Sequence, residues 1–127
     1  MKTATKAQPL DLETMKSAVV DALEDIKATD IRVMDVSELT SITSYMIVAS
    51  GSSNRQTKSL ANNVVVKVKA LGGEVYGVEG EQEGEWVLVD LGDIIVHVMQ
   101  PTIRDYYNLE QLWGAAENRR SKADKAA

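Results

Sequence analysis

The run Tyr45-Met46-Ile47-Val48-Ala49-Ser50 constrains this chain more than any other segment. It is almost continuously apolar, which suits a strand buried on both faces. Such a strand lies inside a sheet with cover above and below. Gly51-Ser52-Ser53-Asn54 stops it. The next stretch, 54–71, is ambiguous by propensity, because Val64, Val65, Val66 and Val68 favour strand. Its periodicity points the other way. Leu60, Ala61, Val64, Val68 and Leu71 fall on one helical face, Lys58, Asn62, Lys67 and Lys69 take other positions, and Gly72-Gly73 supplies a stop. A length of about 17 residues decides for helix.

The flanking segments follow the same logic. Leu12, Met15, Val19, Ala22, Leu23 and Ile26 recur at helical spacing, so an amphipathic helix is expected over 10–27, with Pro9 at its start. Residues 31–36 alternate and read as a strand. Residues 37–44 are rich in Ser and Thr and read as a loop, with Leu39 and Ile42 turned inward. Three short strands are expected over 74–78, 86–90 and 94–99. The last two are joined by Leu91-Gly92-Asp93, short enough to force an antiparallel hairpin. Pro101 ends the sheet, Thr102 is expected to cap a short helical turn with Asp105 three residues on, and Asn108 a second turn over 109–116. A helix between strands implies a parallel pair, and the closing meander implies antiparallel ones. The expected fold is α/β: a single domain over 9–116, with a mixed sheet of about five strands and packed helices. Residues 1–8 read as a flexible N-terminus and 117–127 as a charged tail.

Composition then removes whole classes of chemistry. The chain has 127 residues, no Cys and one His, so disulfides, thiol nucleophiles, thiolate metal sites and His-rich cages are excluded. No stretch approaches the ~20 apolar residues of a membrane-spanning helix, and the N-terminus lacks the apolar core of a secretory signal. A cytoplasmic protein with no cofactor and no membrane partner is expected. Net charge is −5, but residues 9–116 carry 8 Lys/Arg against 17 Asp/Glu, a net of −9. Such a body repels phosphate backbones, so sequence-specific nucleic-acid binding is not expected. It suits a basic protein partner.

Several residues could carry a function. Gly51-Ser52 follows a buried strand and opens a helix, which suits either an N-cap or an anion site. A nucleotidyltransferase would carry an acid pair close behind it, yet the next acid is Glu74. An enzyme of that type would have to borrow a carboxylate from Asp90 or Asp93. His97 shares a strand face with Ile95 and Met99 and reads as a structural or interface histidine; a Ser-His-Asp grouping with Asp90 or Asp93 stays open. Residues 74–93 hold seven carboxylates and no base, either a solvated hairpin or a face that meets cations. Trp86, Leu88 and Asp90 share one face of their strand, opposite Val87 and Val89. Trp86 is therefore either core or an acid-rimmed binding anchor beside Leu88. Ile103, Tyr107 and Trp113 fall at spacing that lets them pack on the sheet, and Arg104 could pair with Glu110.

Several blocks in order resemble a known family. They are Ser41-Ile42-Thr43-Ser44-Tyr45 through Gln56, Gly77-Val78-Glu79-Gly80, Glu85-Trp86 through Met99, and Arg104-x-x-Tyr107-x-Leu109-Glu110-x-Leu112-Trp113. Together they resemble the ribosomal silencing factor family, also called Iojap-like, from about residue 10 to 115. The resemblance implies a non-enzymatic translation repressor that acts when nutrients are scarce, as in stationary phase. It implies binding to protein fourteen of the large ribosomal subunit, where the small subunit docks, and so a steric block to joining. It also implies a nucleotidyltransferase-like sheet without catalytic acids, and a homodimer when free. The matched positions Trp86, Asp90, Asp93, His97, Arg104, Tyr107 and Trp113 become partner-binding candidates, with Leu88 beside them.

Overall fold

In a computed structural model, residues 11–107 are described. Asp11 caps the first helix, its carboxylate accepting from the Thr14 backbone N–H at 3.2 Å. Helix α1 spans Leu12–Asp25, within the expected 10–27, and buries Met15, Ala18, Val19, Ala22 and Leu23. It ends where Lys27 turns left-handed (φ 64°), with Ala28 N–H donating back to the Leu23 carbonyl. Pro9 lies outside the described residues. Strand β1, Thr29–Asp35, starts two residues before the expected strand, and β2, Tyr45–Ser50, coincides with it.

Helix α2 spans Asn54–Ala70. Ser53 caps it, its Oγ accepting from Gln56 N–H at 3.1 Å, so the Ser-rich turn is an N-cap. Gly51 lets the helix approach the strand end, since a Cβ there would meet Thr57 Cγ2 at 2.8 Å. Three short strands follow: β3 Gly77–Glu79, β4 Trp86–Asp90 and β5 Ile94–Met99. The expected strand over 74–78 is displaced to 77–79. β4 ends at Asp90, opposite Gly77, so before Gly77 only the Tyr76 N–H still reaches β4, at the Asp90 carbonyl (2.8 Å). Helix α3, Pro101–Tyr107, begins at the proline itself rather than after a Thr102 cap. Proline is pre-set for the first helical turn and lacks the N–H that would go unsatisfied there. The second turn expected over 109–116 lies outside the described residues.

The sheet order is β1-β2-β5-β4-β3. Only β2 and β5 pair in parallel; β1 with β2, β5 with β4 and β4 with β3 are antiparallel. The α/β class and mixed five-stranded sheet are as expected. The parallel partner of β2 is β5 rather than the strand following the helix.

Each face of the sheet has its own core. On one side α1 and α2 cover Ile47, Ala49, Val87, Val89, Ile94, Val96 and Val98 with Leu23, Leu60, Val64 and Val68. Three contacts lash the helices together: Asn63 Nδ2 to the Ala22 carbonyl at 2.8 Å, Lys67 to Asp25 at 2.9 Å, and Gln56 Nε2 to the Ile26 carbonyl at 2.9 Å. On the other side Met34, Val36, Met46, Val48 and Met99 form a smaller cluster, joined by Leu39, Trp86 and Ile103. Leu39 turns inward as expected. Ile42 does not and is 79% exposed, because Val36 and Leu39 already fill that end of the cluster. No helix among the described residues is long and apolar enough to cross a membrane.

Leu60 is fully buried between α2 and the sheet and makes no polar contact that function could need. Leu60→Ala is expected to lower unfolding free energy by about 3 kcal/mol, read as a lower urea midpoint with an unchanged slope.

Candidate functional site: the open face of the sheet

Alternation on β4 and β5 decides what the second face presents. Val87, Val89, Ile94, Val96 and Val98 point to the helices and are fully buried. Trp86, Leu88 and Asp90 point the other way, as do Ile95 and His97. The register sets Leu88 opposite His97, Asp90 opposite Ile95 and Glu79 opposite Leu88. Helices α1 and α2 lie on the opposite face, and Trp86, Leu88, Asp90 and Ile95 are partly exposed.

Their bonds separate residues that hold the fold from residues that face outward. Trp86 Nε1–H donates to His97 Nδ1 at 2.9 Å, and the rings lie 5.7 Å apart at 49°. This bond runs diagonally, since Trp86 pairs in register with Met99. Because Nδ1 accepts, the neutral ring carries its proton on Nε2. His97 is 6% exposed, and burial holds its pKa down to about 4 against the ordinary 6.5. Trp86 is therefore neither wholly core nor wholly free: one edge fastens the histidine and the rest is partly exposed.

Asp90 and Asp93 shape the β4–β5 turn. Asp90 Oδ1 accepts from Gly92 N–H at 2.9 Å, and the Asp93 carbonyl accepts from Ser44 and Tyr45 N–H at 2.9 and 3.0 Å. Gly92 sits at φ 86° against the Tyr76 ring, where a side chain would be strained. Arg104 is 8% exposed and donates from Nη1 to Ser50 Oγ at 2.7 Å. Its expected partner Glu110 lies outside the described residues, as does Trp113. Tyr107 ends α3.

Leu88 and Ile95 have a different character. Both are partly exposed, and neither belongs to the apolar clusters among the described residues. They form an apolar strip flanked by Glu79 and Asp90. Ile95 was not singled out from sequence; its place opposite Asp90 follows once the hairpin register is fixed. Leu88 was.

The enzyme alternative needs Gly51-Ser52 beside Asp90 or Asp93. Asp90 pairs with Ile95, which pairs with Met46, four residues before Ser50 on β2. At strand rise that is about 13 Å, so the acids and the Gly-Ser pair sit at opposite ends of the sheet. The Ser52 N–H and hydroxyl both reach Gln56 Oε1, at 2.6 and 2.7 Å, which occupies the would-be anion donor. Among the described residues no group of His, Asp or Glu is placed to hold a metal ion.

The burial of His97 fixes the sign of a pH effect. The unfolded chain takes up a proton near pH 6.5 and the folded chain only near 4. Stability contributed by the neutral ring is therefore complete above about pH 6.5 and falls as pH drops toward 4. The loss is about 3 kcal/mol at the low end. Urea titrations across this range are expected to show that slope, and it is expected to vanish in His97→Gln. The imidazole ¹⁵N shifts are expected to report an Nε2–H tautomer at neutral pH.

A family model described as "Ribosomal silencing factor during starvation" matches residues 9–127. The ribosomal silencing factor RsfS of Chromobacterium violaceum is 53% identical over 105 residues, covering 83% of this chain and 86% of that one. Its counterpart in Bacillus subtilis is 39% identical over 95 residues, covering 75% of this chain and 80% of that one. A crystal structure of a Chromobacterium violaceum protein, also 53% identical, superposes with a TM-score of 0.81 over 83% of this chain and 88% of that one. With a family match across nearly the whole sequence and the same sheet, the chain belongs to the ribosomal silencing factor family, a family of ribosome-associated translation regulators.

Proposed function

We propose that this protein docks on the large ribosomal subunit through protein fourteen and, by standing there, keeps the small subunit from joining. Translation then slows when nutrients are scarce. The mechanism is occupancy, with no bond made or broken. The observation that carries this reading is the sheet face that α1 and α2 leave free, on which Leu88 and Ile95 stay partly exposed. Leu88 and Ile95 supply a strip of desolvatable area, Trp86 flanks it, and Leu88 lies within 74–93, a segment of seven carboxylates and no base. A basic protein surface complements that arrangement, and the apolar strip supplies affinity that salt cannot screen. Trp86, Asp90, Asp93, His97 and Arg104 act in this reading mainly by fixing the face, and Leu88 by touching the partner. Tyr107 and Trp113 are further contact candidates carried by the resemblance. Two free copies pairing through the same strip would hide it from the ribosome, so homodimer and docked monomer compete.

The test is co-sedimentation of purified protein with large subunits, together with light scattering of subunit joining. Saturating protein is expected to suppress joining. Leu88→Ala and Ile95→Ala are each expected to weaken docking about tenfold, near 1.4 kcal/mol, with a smaller drop in urea midpoint than Leu60→Ala, since both side chains are partly exposed. Raised salt is expected to weaken docking of the parent and both variants in parallel. Normal joining in the presence of bound protein would overturn the reading.

A further inference from the structure

The only parallel pair among the described strands, β2 and β5, has an unusual exit. After Ser50 the chain turns into α2, which packs on one face through Leu60 and Val64. After Met99 it turns into α3, which packs on the other face through Ile103. Where neighbouring parallel strands send their connections to opposite faces, a crevice opens beyond their carboxyl ends. Open α/β sheets bind ligands at such points.

A cleft of about 430 Å³ lies there, within the range of small-ligand sites, with Asp30, Arg32, Ser50, Arg104 and Asp105 among its walls. Two features show that the chain is shaped around it. β1 carries a bulge at this spot: Thr29 faces Ser50 but Arg32 faces Val48, so β1 has one residue more than β2. Asp30 within the bulge adopts φ 50°, a left-handed conformation that Asp tolerates better than most residues. Bulges re-aim side chains and gather next to binding sites. Second, Arg104 is 8% exposed and its Nη1 donates to Ser50 Oγ at 2.7 Å, so its orientation is set before any ligand arrives.

The charge pattern selects the ligand. Two arginines and two aspartates line the cleft, so a bare anion or a bare cation meets like charge as well as opposite charge. A molecule with an anionic end and a hydroxylated end satisfies both. Guanidinium forks match the several oxygens of a phosphate, and carboxylates accept from vicinal hydroxyls. We infer that this cleft binds a small sugar phosphate, its phosphate between Arg32 and Arg104 and its hydroxyls toward Asp30 and Asp105. The site stands whether or not the protein docks on the ribosome.

The test uses the full chain, ¹⁵N-labelled, titrated with ribose 5-phosphate, inorganic phosphate or ribose while the amides of Ile31, Ser50 and Asp105 are followed. Ribose 5-phosphate is expected to saturate with a Kd of about 1 mM or tighter. Inorganic phosphate is expected to bind at least tenfold more weakly, and ribose not at all. Arg32 is exposed, so Arg32→Ala should fold normally, and it is expected to weaken ribose 5-phosphate tenfold or more. Asp105→Asn is expected to bring ribose 5-phosphate down toward the affinity of phosphate. No saturation by about 10 mM, equal binding by Arg32→Ala, or phosphate binding as tightly as the sugar phosphate would each overturn the inference.

Discussion

The parallel pairing of β2 with β5 governs the arrangement of everything else. Parallel neighbours cannot be joined by a tight turn, so the chain leaves β2 through a long helix that must lie on one face of the sheet. Here α2 crosses β5 and β4 and delivers the chain to β3 at the far edge, from which two antiparallel returns bring it back to β5. All the cover supplied by α1 and α2 is thereby committed to one side. Among the described residues, the opposite side receives a seven-residue helix at one end and the 37–44 loop at the other. Among the described residues, a partly exposed strip across β4 and β5 is a consequence of the topology. The same asymmetry of exits produces the crevice past Ser50 and Met99.

A partly exposed sheet face carries a penalty in specificity, because apolar residues outside a packed core fix a register only weakly. The Trp86–His97 bond answers that problem. A one-residue slip between β4 and β5 would send His97 to the helix face, where nothing polar awaits it. It would also leave the indole N–H without its acceptor. Both groups are costly to bury unpaired, so the correct register is favoured over its neighbours by more than the net worth of one hydrogen bond. The Asp90–Gly92 bond works at the other end of the same hairpin by fixing the turn that counts the residues. Polar contacts set the alignment, and Leu88 and Ile95 are left to face outward.

How much of this could be read from residues alone depends on the range of the interaction. Local periodicity was enough for α1, α2, β2, β4 and β5, whose limits lie within two residues of those expected. In 54–71 the helical face of Leu60, Ala61, Val64 and Val68 outweighed three adjacent valines. The antiparallel β4–β5 hairpin followed from a three-residue connection. β3 was misplaced because its limits depend on where β4 ends, a pairing fact. The partner of β2 was also missed, since chain order names the next strand and not the hydrogen-bonded one. Alternation alone put Trp86 and Leu88 on one face. The diagonal bond to His97 needed the register, and Ser50 with Arg104 needed α3 to fold back toward β2 across a separation no motif records.

The distribution of charge then fits the division of the face. One register row runs Glu79, Leu88, His97, Val48, Arg32 from edge to edge. Five strands at about 4.8 Å spacing put its acidic and basic ends roughly 19 Å apart, beyond a Debye length at physiological salt. The two ends therefore present nearly independent fields to solvent despite sharing one sheet. Near Glu79 and Asp90 a cationic surface is attracted and the apolar strip lies within its reach. Near Arg32 and Arg104 the carboxylates of Asp30 and Asp105 oppose the positive field, which weights recognition there toward short-range hydrogen-bond geometry. A basic partner and a small ligand of the kinds proposed would therefore be sorted to different ends of the same face, neither end having to exclude the other's ligand by shape.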